Sequence, residues 1–275
     1  MTSGQPRIRL AHLFPAQLNL YGDIGNIAAL TQRARWRGID VDVVSVSPSD
    51  QHLPPDTNII FIGGGPDRAQ SAIADALNRL APGIRDRIDT GAALLAVCGG
   101  YQNLGSFYRS EHAGVVPGAG LFGAWTEAPK GGQRLSTGCI VSLSADSPIA
   151  AAGRDSAARA GLSGQELSVV GYENHSGRTY LEKGATSLGR VVAGSGNNGQ
   201  DGMEGFMALP GPGGSPGLRL GTYLHGPLLP RNPHLADYIL LCALSGQGVT
   251  KLSPLDDRDE WAAHDAFARR WLREG

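Results

Sequence analysis

The sequence predicts an α/β fold: a central, mostly parallel sheet with helices on both faces. Strand-like and helix-like runs alternate through the first hundred residues, the order a parallel sheet requires. Two glycine-rich corners, "GGGPDR" (63–68) and "CGGY" (98–101), each follow an apolar run. Both therefore fall at the carboxyl ends of strands, where such sheets bind ligands. With 41% hydrophobic residues, the 275-residue chain can also bury a sizeable core without disulfides.

The apolar run Ile8–Phe14 gives the first strand, and Ile24, Ile27 and Leu30 recur at helical spacing in a helix expected over Ile24–Arg37. Valine-rich Val41–Val46 and the short apolar run Asn58–Ile62 are the next strands. A helix over Asp67–Leu80, a strand over Ala92–Val97 and a helix over Tyr101–Tyr108 follow. After Arg109 the pattern is irregular and rich in Gly and Pro, with strands expected at Gly138–Leu143, Leu167–Glu173, Gly189–Ala193 and Arg219–Leu224. Residues 144–166 and the Pro/Gly segment 209–217 read as loops that carry no chemistry. Helices at Pro233–Ser245 and Asp256–Arg273 close the chain, the last setting Trp261, Ala262, Phe267 and Leu272 among charges. The expected organisation is one domain over 1–248 and a helical extension over 249–275.

Twenty-four basic and 25 acidic side chains give a net charge of −1, so nucleic acid and anionic membranes are not expected partners. Cys98, Cys139 and Cys242 are too scattered for a disulfide framework or a metal site, which points to a reducing compartment. The first residues lack the apolar stretch of a signal peptide, and no run is long enough to span a bilayer, so a cytoplasmic location is expected.

Several motifs match by chance in a chain with 40 glycines. "GAGLFG" (118–123) and "GSGNNG" (194–199) fit GxGxxG but lack the strand–turn–helix context of a dinucleotide site. "GGSPG" (213–217) fits a serine elbow with no strand before it, and no GxxxxGK[ST] loop exists to cradle ATP. The corner "LLAVCGGYQNLG" (94–105) has the right context. Ala96 and Gly100 flank Cys98 with the small residues a sharp turn needs, and the helix that follows offers N–H groups that favour a thiolate and an oxyanion. On residues alone Cys98 can be either a nucleophile or a buried free cysteine. His225 in "TYLHGP" (222–227) ends an apolar run on the same edge and is the candidate base, with His175 in "GYENHSGRT" (171–179) in reserve; each can also be a structural histidine.

Taken together, "AVCGGYQNLG", "FIGGGPDR" and "GTYLHGP" resemble class I glutamine amidotransferases of the cobyric acid synthase type. "LNLYGDIGNIAAL" (18–30), "GYENHSGRT" and "GNN" (196–198) are similar to the GatD-type glutaminase subunits of lipid II isoglutaminyl synthases, and the likeness runs from Arg9 to Pro233. The resemblance implies a flavodoxin-like glutaminase domain in which Cys98 attacks the glutamine amide, His225 is base and acid, and Gly99, Gly64 and Gly65 supply an oxyanion hole. It further implies that Arg134, in "GGQRLSTG" (131–138), holds the substrate carboxylate, with Tyr101, Gln102, Asn174 and His175 around the substrate. Many class I members carry a glutamate two residues after the histidine, and Pro227 stands there instead. The resemblance therefore implies that a Mur-ligase-like (MurT-type) partner supplies the acid and binds ATP and magnesium in a heterodimer, with no cofactor or metal in this chain. A cobyric acid synthase relative without its synthetase domain, or a non-catalytic scaffold, are the alternatives.

Overall fold

A computed structural model describes residues 5–20, 22–110, 114–162 and 167–274. The first half of the chain forms β1 (Arg7–Leu13), α1 (Ile24–Arg35), β2 (Asp40–Val46), β3 (Ile59–Ile62), α2 (Asp67–Asp89), β4 (Ala93–Val97) and α3 (Gly99–Leu104). Then come β5 (Phe107–Ser110), β6 (Gly114–Pro117), β7 (Ala124–Glu127), β8 (Leu135–Ser142), α4 (Pro148–Arg159), β9 (Ser168–His175), β10 (Arg178–Leu181), β11 (Gly189–Ala193) and β12 (Met203–Glu204). The chain ends with β13 (Phe206–Ala208), β14 (Arg219–Thr222), β15 (Leu224–His225), α5 (Pro233–Leu244) and α6 (Arg258–Glu274).

The central sheet has the order β13-β14-β4-β3-β1-β2, parallel throughout except for β13. The steps from β1 to β2 and from β3 to β4 run in opposite directions across the sheet. Right-handed crossovers therefore put α1 and α2 on opposite faces, the arrangement the alternating pattern predicts. Helix α5 packs beside α1, and α3 beside α2. Every residue of β3 and β4 is buried, as expected of strands covered on both faces.

The later strands form two further sheets. One is β10-β7-β5-β6; the other is β12-β11-β8-β9-β15, antiparallel throughout. The expected strand Arg219–Leu224 is divided between sheets: β14 pairs with β4, and after Tyr223 the chain enters β15, which pairs with β9. This change of sheet sets His225 at the seam between the two.

Three expectations are corrected. The helix after Cys98 begins at Gly99 and stops at Leu104, because Gly105 is extended and Phe107 and Tyr108 enter β5. Helix α2 runs on past Leu80, with Pro82 inside it, because Ile84 and Ile88 continue its buried stripe. Part of the expected loop over 144–166 is α4, which has Pro148 in its first turn and buries Ile149, Ala150 and Ala157; 163–166 lie outside the described residues. Helix α6 packs on β8 and β9 through buried Trp261 and His264, while Leu272 stays exposed.

Candidate active site

Strand β4 delivers Cys98 to its carboxyl end, where the backbone turns sharply at φ 49° and ψ −106°. A non-glycine residue rarely adopts this conformation, and such strain collects at functional sites. Two hydrogen bonds hold it: Cys98 N–H donates to Thr222 O (2.8 Å), and Gln102 N–H donates to Cys98 O (3.0 Å). The side chain is 7% exposed, and its remaining surface faces a cavity of about 400 Å³.

Because Thr222 pairs with Val97 and His225 pairs with Tyr172, the passage from β14 to β15 lays the His225 imidazole against the Cys98 sulfur. The imidazole is fully buried. Burial works to lower its pKa, but the adjacent Cys98 sulfur and the Asp23 carboxylate outweigh that and raise it above the ordinary histidine value. Two of the three buried cysteines stand elsewhere: Cys139 is in β8 and Cys242 in α5, and burial pushes both thiols up.

Pro227 leads to no carboxylate of this chain being expected beside His225, yet one stands there. Asp23 Oδ1 lies 3.1 Å from His225 Nδ1, and both side chains are buried. Asp23 directly precedes α1 but caps no helical N–H through its side chain; the carboxylate turns back toward the site. The sequence signal was an acid at the end of the connection from the first strand to α1, where it reads as an ordinary helix start.

The glycine corner is also corrected in part. Gly64 N–H donates to Asp23 Oδ2 at 2.7 Å, so it is engaged and not turned to the substrate. The Gly65 and Gly99 N–H groups donate to no group of the described residues, and Gly65 N lies 3.1 Å from where a Cβ of Gly99 would stand. That pair meets beside Cys98 at the start of α3.

The cavity brings Cys98, His225, Gly65, Gln102, Arg134, Asn174 and His175 together. Arg134 is held by Asn174, whose side-chain oxygen accepts from Nε and whose carbonyl accepts from Nη2 (2.9 Å), and by Ser176 Oγ at 3.2 Å from Nη1. Gln102 Nε2 donates to the Tyr223 hydroxyl (3.0 Å). His175 stacks on Tyr223 at 3.5 Å, its Nδ1 is 2.7 Å from Gly177 O, and burial lowers its pKa to about 3. It is therefore a neutral wall residue, and the imidazole facing Cys98 is that of His225.

Tyr101 is not in the cavity. It is 1% exposed, its ring meets Tyr223 edge-on at 5.3 Å, and its hydroxyl lies 3.4 Å from Asn197 Oδ1, because the first turn of α3 points it into the core. Sequence reasoning also missed Gln70, which lines the cavity from α2 and receives a bond from Asn103 Nδ2 at 3.2 Å. The "GSGNNG" turn serves an internal anion: Ser195 and Gly196 N–H donate to the Glu173 carboxylate at 2.6 and 2.8 Å. Among the described residues no His, Cys, Asp and Glu cluster could hold a metal, and no helix is long and apolar enough to cross a membrane.

The CobB/CobQ-like glutamine amidotransferase domain matches residues 9–233. The chain is 37% identical over 242 residues to the lipid II isoglutaminyl synthase (glutamine-hydrolyzing) subunit GatD of Staphylococcus aureus, covering 88% of this chain and 86% of that protein. It is 32% identical to the subunit of the same name from Streptococcus pneumoniae, covering 86% of this chain and 81% of that one. A probable cobyric acid synthase of Methanopyrus kandleri is 31% identical over 68% of this chain, which spans only 34% of that protein.

Proposed function

The chain belongs to the CobB/CobQ-like glutamine amidotransferase family, and we propose that it is the glutaminase subunit of a lipid II isoglutaminyl synthase. In this reading it hydrolyses L-glutamine to glutamate and ammonia. The ammonia passes to a Mur-ligase-like partner that binds ATP and magnesium and amidates the D-glutamate α-carboxyl of the lipid II stem peptide. The observation that carries the hydrolytic part is Cys98, strained at a strand end, against the His225 imidazole in a cavity that also presents Arg134. Likeness over more than four-fifths of two such subunits supports the acceptor, whereas the cobyric acid synthase match spans a third of a larger protein.

Arg134 receives the α-carboxylate of glutamine, which leaves the side-chain amide directed toward Cys98. Transfer of the thiol proton to His225 Nε2 gives a thiolate that adds to the amide carbon. Charge moves to the former carbonyl oxygen, where the Gly65 and Gly99 N–H groups stabilise it. His225 returns its proton to the leaving nitrogen, the C–N bond breaks and ammonia departs from a glutamyl thioester. Water, deprotonated by His225, then adds to the thioester, the C–S bond breaks, and glutamate and the thiol are restored.

The test is reconstitution with the ligase partner, lipid II, ATP and glutamine labelled with ¹⁵N in its amide. Mass spectrometry should find the label in the stem peptide, only when this chain is present. Unamidated lipid II, with glutamine consumed, contradicts the acceptor.

A further inference from the structure

Where an acid is expected two residues after the histidine, Pro227 instead packs on the segment that carries Asp23. A Cβ on Gly25 would lie 2.5 Å from Pro227 Cγ, so the start of α1 is seated directly against the proline ring. This contact fixes a carboxylate whose two oxygens have separate tasks: Oδ1 faces His225 Nδ1 at 3.1 Å, and Oδ2 accepts the Gly64 N–H at 2.7 Å. Leu20 N–H donates to Gly64 O at 3.1 Å, so the two segments are tied in both directions.

We propose that Asp23 is the positioning residue of the hydrolytic site, orienting His225 with one oxygen and setting the glycine corner with the other. The proposal rests on the reading of Cys98 and His225 as the reacting pair.

A purely structural role accounts poorly for these contacts. Asp23 is fully buried, makes no side-chain cap to α1, and has no Arg or Lys within ion-pair distance among the described residues. A buried carboxylate of this kind is costly unless a cationic partner and full hydrogen bonding offset it. His225, once it holds the Cys98 proton, is that partner. With Nδ1–H given to Asp23, the imidazole must present Nε2 to Cys98, which is the tautomer and rotation that proton transfer needs. Pinning Gly64 leaves Gly65 N–H next to Gly99 N–H, so one side chain aligns both the base and the oxyanion donors. The other titratable neighbour, His12, is held neutral near neutral pH because burial lowers its pKa to about 4.

The experiment compares the wild-type chain with Asp23→Asn, alone and with the ligase partner. Ammonia release gives kcat and KM, and iodoacetamide alkylation of Cys98 is followed against pH. In Asp23→Asn, kcat should fall about 10²- to 10⁴-fold with KM within a few-fold, since losing the acid of a related triad costs ~10⁴. The alkylation profile should move to higher pH, because an unsupported imidazolium holds the thiolate less well. Wild-type kcat with an unmoved profile in Asp23→Asn would overturn the proposal. Should the variant not fold, ¹⁵N NMR of the wild-type chain decides: a downfield proton on His225 Nδ1 supports the proposal, and protonation at Nε2 alone overturns it. A Cys98→Ala variant that still hydrolyses glutamine would instead end the underlying reading.

Discussion

A Cβ on Gly64 would stand 2.8 Å from His225 Cε1 and 3.2 Å from Cys98 Cβ. The glycine corner thus presses against the side chains of both Cys98 and His225, and its lack of a side chain is what lets them meet. Gly64→Ala should lower glutamine hydrolysis by at least ~10²-fold, because an ångström of misplacement between reacting groups costs about that much. Steady-state ammonia release checks it, and a circular dichroism spectrum like that of the wild type separates misplacement from unfolding.

Arg134 spends its hydrogen bonds on Asn174 and Ser176 at the cavity edge, where it buttresses no core. Arg134→Ala should therefore leave the unfolding temperature nearly unchanged and raise KM for glutamine by roughly 10- to 100-fold, the cost of a lost charge-assisted pair. An unchanged dependence of rate on glutamine concentration would place the carboxylate elsewhere.

Glu204 ends β12, accepting from Thr222 Oγ1 (2.7 Å) and Tyr223 N–H (2.8 Å). Burial, assisted by the nearby Glu173 carboxylate, pushes its pKa up from 4.5 to about 7. The folded state therefore binds more protons than the unfolded state between those values, so its contribution to stability is full below pH 4.5 and is lost as pH rises through 7. Glu204→Gln, which mimics the neutral form, should match the wild type near pH 5 and exceed it at pH 8 by about 3 kcal/mol. Denaturant unfolding at the two pH values measures the difference.

Trp261 fixes α6 to the body of the protein. Its Nε1–H donates to Ser156 Oγ (2.9 Å), Ser156 bonds Asp257, and Asp257 pairs with buried Arg33 of α1 at 2.8 Å. Trp261→Ala should destabilise the fold by about 3–5 kcal/mol, read from the urea midpoint at constant slope.

The parallel core was legible because its signal is local: β3 and β4 are short apolar runs, and the glycine corners stand directly after them. Cys98 and His225 were legible for the same reason, each ending such a run. Asp23 was not, since its partner lies 202 positions away and only the β14 to β15 change of sheet brings the two together. Tyr101 misled because it sits three residues from Cys98, yet helical rotation turns it to Tyr223 and the core. Helix α4 was hidden in a stretch of Ala, Ser and Gly whose apolar face is narrow, and tertiary packing of Ile149 and Ala157 decides it.

The hydrolytic dyad is tested most directly by ammonia release from L-glutamine, measured with the purified ligase complex built from wild-type chain, Cys98→Ala or His225→Ala. The smaller side chain at 98 fits the same pocket, so the complex should form in each case. The expected result is release with the wild type, none above background with Cys98→Ala, and a loss of at least ~10²-fold with His225→Ala. Release near the wild-type rate from a correctly folded Cys98→Ala complex would contradict it.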